Sequence, residues 1–170
     1  MDFKPYVREV PDFPVEGSTH HDLTQLFADA KAFKGAIEAM AEPVRVLQPT
    51  HVLGLEARGF IFGSALAQRL GLGFVPARKP GLLPPPTYQE PFLSGQEMDA
   101  LEIHEDAFRP GDRVLLVDDL LATGATAAAA RRLVERTGAH PLALTLFLEI
   151  ERDHGRVDLK DLPVFSLLRA

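Results

Sequence analysis

A chain of 170 residues, 46% hydrophobic, has enough apolar material for one compact core. Its formal charge of −6 argues against a general affinity for nucleic acid, because no basic stretch offsets the acids. There is no cysteine for a disulfide, no apolar run of membrane-spanning length, and no signal-peptide pattern after Met1. A cytoplasmic protein with no nucleic-acid or membrane partner is the resulting expectation.

Residues 1–21 read as irregular, since Pro5, Pro11 and Pro14 interrupt any periodic pattern. Asp29 can cap a helix in which Phe33, Ile37 and Met40 recur at helical spacing, and which should end before Pro43. His51–Leu55 reads as a buried strand, Phe60–Leu70 as the helix after it, and Phe74–Ala77 as a second strand. Arg78–Met98 carries five prolines and reads mostly as a long functional loop, with a strand at Ala100–Ile103 on its return. Val114–Val117 is the central strand, Thr126–Arg136 its helix, and Gly138 ends that helix. Leu142–Leu148 and Val164–Leu168 are the last strands. Strands alternating with helices give an α/β fold with a mainly parallel twisted sheet.

The most telling stretch is Val114–Thr126. Four apolar β-formers run into Asp118 and Asp119, and a short apolar step leads to Ala122, Thr123, Gly124, Ala125 and Thr126 ahead of an alanine-rich helix. Backbone N–H groups at such a helix start can surround a phosphate, and two threonine hydroxyls add donors. The acids can bind vicinal sugar hydroxyls or orient a hydrated divalent cation. A strand end and a helix cap would account for two acids and a glycine. They do not account for the strand before and both threonines after. Neither the Walker pattern nor the dinucleotide glycine pattern is present. Glu56, Ala57 and Arg58 follow another strand, and Arg78 with Lys79 follow a third. Arg58 at a helix start is poorly placed for the dipole, so a diphosphate gives it a reason to be there. Ligands in parallel sheets sit beyond the carboxyl ends of the strands, where all three motifs fall.

Val114–Thr126 resembles the phosphoribosyl-diphosphate signature of type I phosphoribosyltransferases. With Gly54–Gly63, Arg78–Gly81, Leu101–Ala107, Pro110–Arg113, Pro11–Pro14 and Phe165–Leu168, nearly the whole chain is similar to the adenine phosphoribosyltransferase family. The resemblance implies the type I phosphoribosyltransferase fold, with residues 1–170 as one domain, a base-binding segment over about 1–28 and a mobile hood over about 80–98. It implies purine salvage, in which adenine and phosphoribosyl diphosphate give AMP and diphosphate. Mg²⁺ would be held mainly through the diphosphate rather than by direct protein ligands, and the enzyme would be a homodimer. Carried over by position, Asp118 and Asp119 would hold the ribose hydroxyls. Ala122–Thr126 would bind the 5′-phosphate. Arg58 and the Glu56–Ala57 peptide would face the diphosphate, with Arg78 and Lys79 nearby. Ala122 stands where 6-oxopurine enzymes usually carry an acid, which disfavours hypoxanthine and guanine.

Several positions depart from the family's pattern. Thr19, His20 and His21 occupy the base segment, with His20 in place of a stacking aromatic and His21 in place of an arginine; Ile150 is expected near the ring. Gap-free counting puts Gly95 and Gln96 at the hood's usual Glu-Tyr, with Glu97 available if the loop shifts. Ala125 replaces a second glycine, which is tolerable if its φ is negative. Two alternatives stay open: the same donor with another base such as xanthine, or a non-enzymatic phosphoribosyl-diphosphate sensor. Such sensors usually carry a DNA-binding extension, and this chain is too short and too acidic to supply one.

Overall fold

The computed structural model describes residues 1–170. Its centre is a five-stranded parallel sheet of β3 (His51–Leu55), β4 (Gly73–Ala77), β7 (Arg113–Leu121), β8 (His140–Glu149) and β9 (Val164–Arg169), in the order β4-β3-β7-β8-β9. Alternation along each strand divides the core in two. Leu53, Leu116, Leu144 and Leu146 face α4 (Ala125–Arg136) and a long hairpin. Val52, Leu115, Val117 and Phe147 face α2 (Ala30–Arg45) and α3 (Gly59–Leu70). The Phe62 ring of α3 stacks on Phe147 with centroids 5.6 Å apart, joining helix and sheet.

Asp29 caps α2 as expected, accepting from the backbone N–H of Lys31 at 2.9 Å and of Ala32 at 3.0 Å. The helix does not end before Pro43 but runs through it to Arg45. Pro43 removes one hydrogen bond, yet Ala41 and Val44 are fully buried and hold the last turn to the core.

The N-terminal segment is not irregular. Strands β1 (Arg8–Pro11) and β2 (Thr19–Asp22) form an antiparallel ribbon, and a short helix α1 (Thr24–Ala28) follows. Pro11 is tolerated because the cross-strand hydrogen bond at this end comes from Asp12, whose N–H donates to the Ser18 carbonyl at 2.7 Å.

Arg78–Met98 departs furthest from the expected long loop. Most of it is ordered, as β5 (Thr87–Ser94) paired with β6 (Glu97–His104) in an antiparallel hairpin. Pro84, Pro85 and Pro86 precede β5, and Pro91 is accommodated because β5 has only one strand neighbour. Arg132 of α4 pairs with Glu90, Arg136 donates to the Gln89 carbonyl at 2.7 Å, and its guanidinium lies 4.5 Å above the Tyr88 ring. The hairpin's body is thereby fastened to α4.

Strand β7 also runs past its apolar segment to Leu121, because β8 continues the pairing through Asp118–Leu146, Leu120–Leu148 and Leu121–Glu149. Both aspartates therefore belong to the strand.

Candidate active site

From β3 the chain crosses to β4 on one side of the sheet, and from β7 to β8 on the other. The crossovers diverge between β3 and β7, which leaves a crevice at the carboxyl ends of these strands. Gly59 opens α3 against that crevice. A Cβ there would lie 2.8 Å from the Val117 carbonyl oxygen and 3.0 Å from Asp118 Oδ1, so only glycine lets the helix start so close to the acids.

Strand alternation sends Asp118 and Asp119 to opposite faces. Asp118 lines a cavity of about 280 Å³ together with Ala122, Thr123, Gly124, Thr126 and, from the hairpin tip, Ser94 and Gly95. Gly124 sits at φ +84°, the left-handed turn that brings the loop into α4 and aims the helix's free N–H groups at the cavity. Ala125 is helical, so its methyl fits where a second glycine is common in the family. The carboxyl of Asp118 is raised well above the usual carboxylate range, first by burial and then by the negative charge of Asp119.

Asp119 faces Arg58 and, through it, β2. Its carboxylate lies 2.8 Å from Arg58 Nε, and Arg58 Nη1 donates to the His21 carbonyl at 2.9 Å. Asp119 Oδ2 is buried and its geometry with Arg58 is that of an ion pair rather than an aligned hydrogen bond, so it keeps an unpaired acceptor. Arg58 thus ties β2 to the end of β7. His21 is buried, and that burial lowers its pKa; the positive charges of Arg152, His20 and Arg58 act in the same direction, Glu9 opposes them, and the neutral imidazole is favoured. The His20 ring meets Phe13 edge-on at 5.5 Å, while Thr19 is exposed. Ile150 is buried, and its N–H donates to the Leu121 carbonyl at 2.8 Å, joining β8's end to the same crevice.

A third group gathers at the ends of β3 and β4. Glu56 accepts from Lys79 N at 2.6 Å and lies 3.4 Å from Arg78 Nη2. Lys79 also pairs with Asp99 of β6. The Arg78 Nε is buried without a partner, and the Glu56–Ala57 peptide is cis.

The structure brings Asp118, Ala122, Thr123, Gly124 and Thr126 around one cavity, and Asp119, Arg58 and His21 into one chain of contacts. It holds Arg78 and Lys79 against acids at the neighbouring strand end. Glu97 is exposed beside the hairpin turn and does not line the cavity, whereas Gly95 does. Ser94 was not anticipated at the cavity. Its presence follows from the antiparallel register of β5 and β6, which periodicity within a proline-rich stretch does not reveal.

A phosphoribosyl transferase domain model matches residues 22–167. An adenine phosphoribosyltransferase of Desulfitobacterium hafniense is 44% identical over 169 residues, covering 99% of this chain and 98% of the relative. The crystal structure of adenine phosphoribosyltransferase from Thermoanaerobacter pseudethanolicus superposes with a TM-score of 0.96 at 42% identity, covering 99% of this chain and 98% of that one. The Saccharomyces cerevisiae enzyme, crystallised with an imino-altritol bisphosphate and adenine, superposes at 0.91 with 37% identity, covering 98% of this chain and 96% of that one.

Proposed function

Because this chain belongs to the phosphoribosyltransferase family, we propose that it transfers the phosphoribosyl group of phosphoribosyl diphosphate to adenine, giving AMP and diphosphate in purine salvage. The observation that carries this reading is the division of labour at β7. Asp118 faces a cavity at a helix start, and Asp119 faces the base segment through Arg58.

In the reaction a ring nitrogen of adenine bonds to C1 of the ribosyl group as the bond to diphosphate breaks, with positive charge building on the sugar, and the proton of that nitrogen is released to water or to the departing diphosphate. The residues act by binding and orientation. Thr123, Thr126 and the loop N–H groups of Ala122–Thr126 hold the 5′-phosphate. Asp118 and the unpaired oxygen of Asp119 accept from the ribose hydroxyls, and their charge favours the developing cation. Arg58, Arg78, Lys79 and the Glu56–Ala57 peptide serve the diphosphate end, with the cations exchanging their carboxylate partners for ligand oxygens. His20, His21, Thr19 and Ile150 frame the base, and Ala122 leaves no carboxylate beside it. Glu97 is carried by the hood and reaches the site only on closure.

Mg²⁺ fits this arrangement as an ion carried by the donor. Asp118 and Asp119 diverge, so they offer no all-protein cage, and Mg²⁺ readily keeps water and diphosphate ligands. Asp118 would hold one of its waters, and the ion would supply charge neutralisation on the leaving diphosphate.

The whole chain acts as one domain, with residues 1–28 as the base-binding segment and 80–98 as the hood that closes over the cavity. An apolar groove formed by Phe27, Phe33, Ile37, Ile61 and Ala65 on α1, α2 and α3 supports a homodimer. No helix is long and apolar enough to cross a membrane, and a cysteine-free chain suits the reducing cytoplasm. Incubation with adenine, phosphoribosyl diphosphate and Mg²⁺ is expected to yield AMP and diphosphate in equal amounts. Absence of AMP would remove the reading.

A further inference from the structure

Gly155 and Arg156, between β8 and β9, take no part in the transfer chemistry, yet Gly155 forms the floor of the phosphate loop. A Cβ on Gly124 would lie 2.2 Å from the Gly155 carbonyl oxygen. A Cβ on Gly155 would lie 2.2 Å from the Ala122 carbonyl oxygen and 2.9 Å from Leu121 Cγ. Two stretches of backbone are therefore in direct contact, with no room for a side chain on either.

The next residue anchors this contact. Arg156 donates through Nε and Nη2 to Glu149 at 2.6 and 2.7 Å, and through Nη1 to the Val164 carbonyl at 3.1 Å. Ser166 donates to the same glutamate at 2.6 Å. Glu149 is only 6% exposed and sits opposite Leu121 in the register of β7 and β8. A bidentate arginine on a buried carboxylate fixes orientation as well as distance. From the other side, Arg131 of α4 donates to the Leu159 carbonyl at 2.9 Å.

We propose that Gly155 and Arg156 are positioning residues for the donor: the Arg156–Glu149 pair holds the Gly155 peptide under Ala122–Gly124 and so sets the geometry of the 5′-phosphate subsite. This rests on the reading of that loop as the phosphate site. The effect should be confined to the phosphate end, because the base segment is tied to β7 separately, through Arg58.

The test measures ribose 5-phosphate binding by calorimetry and the KM for adenine by steady-state kinetics, in the native protein and in Arg156→Ala, Arg156→Lys and Gly155→Ala. Arg156→Ala and Gly155→Ala are expected to weaken ribose 5-phosphate about tenfold or more, the scale set by small misplacements of binding groups, with the adenine KM changed less than about twofold. Arg156→Lys should recover part of the loss, since lysine keeps the charge but not the fork. If Arg156→Ala does not fold, a loss confined to ribose 5-phosphate in Arg156→Lys or Gly155→Ala supports the proposal equally. Equal losses for both ligands, or no loss of ribose 5-phosphate binding, would overturn the proposal. Native protein that does not bind ribose 5-phosphate would instead remove the phosphate reading, and this inference with it.

Discussion

Asp118 and Asp119 are neighbours in sequence but meet different surroundings, because adjacent strand residues point to opposite faces. That both stand towards a strand end was legible from their place after four apolar β-formers. Their divergence was not, because it needed β7 to continue past them in register with β8. The environment of Asp118 has a measurable consequence. Burial and the charge of Asp119 raise its pKa in the folded state above its unfolded value. The ligand-free fold is therefore favoured while Asp118 is protonated, and loses stability as pH rises through that raised pKa. At pH 7 Asp118→Asn removes this cost. Its ligand-free Tm should rise, by about 2–4 °C for each kcal/mol relieved. Turnover should fall about 100-fold or more, as when one preorganised electrostatic group is lost. A thermal melt and a diphosphate-release assay on the same preparation check both. A Tm unchanged or lowered at pH 7 would contradict the burial argument, and an unchanged rate would contradict the role of Asp118.

At the scale of elements, what could be read in advance was what local chemistry determines. The parallel strands β3, β4, β7, β8 and β9 announce themselves as apolar runs bounded by turn residues, and Asp29 marks the start of α2. The ribbon β1–β2 and strand β5 were hidden because their prolines are tolerated only through ribbon and edge-strand geometry, which depends on partners distant in sequence. The stretch around Gly155 and Arg156 was hidden for a related reason. It has no periodicity, and its meaning lies in contacts with Gly124 and Glu149. That anchor should be visible in acid. Hydrogen bonding to Arg156, reinforced by Ser166 and Arg169, lowers the Glu149 pKa from 4.5 to about 2. A depressed carboxylate pKa contributes stability that is present above the unfolded value and is lost as pH falls through the folded one. Native protein should therefore lose the anchor's contribution between about pH 4.5 and 2, while Glu149→Gln should start with a lower Tm at neutral pH and fall less steeply over that window. Parallel Tm-against-pH curves for the two proteins would contradict the assignment.

At the scale of the molecule, the sheet gathers three strand ends into one crevice and two layers hold it in place. The hairpin, fastened to α4 by Arg132 and Arg136, brings Ser94 and Gly95 over the Ala122–Gly124 loop that leads into the same helix. On the other face, Ile61 is 40% exposed within an apolar groove, on the helix whose first turn lies against Asp118. If a second copy covers that groove, Ile61→Asp should shift the sedimentation coefficient from dimer to monomer, and an unchanged coefficient would place the interface elsewhere. The overall plan was legible because the α/β alternation and the strand-end motifs agree. The choice of base was less so, because Thr19–His21 and Gly95–Glu97 depart from the family pattern. The most direct test of the account is therefore a competition for limiting phosphoribosyl diphosphate among equal concentrations of adenine, hypoxanthine, guanine and xanthine. Adenine should be consumed, with AMP as the dominant nucleotide. A dominant product from any other base, or no nucleotide at all, would contradict the account.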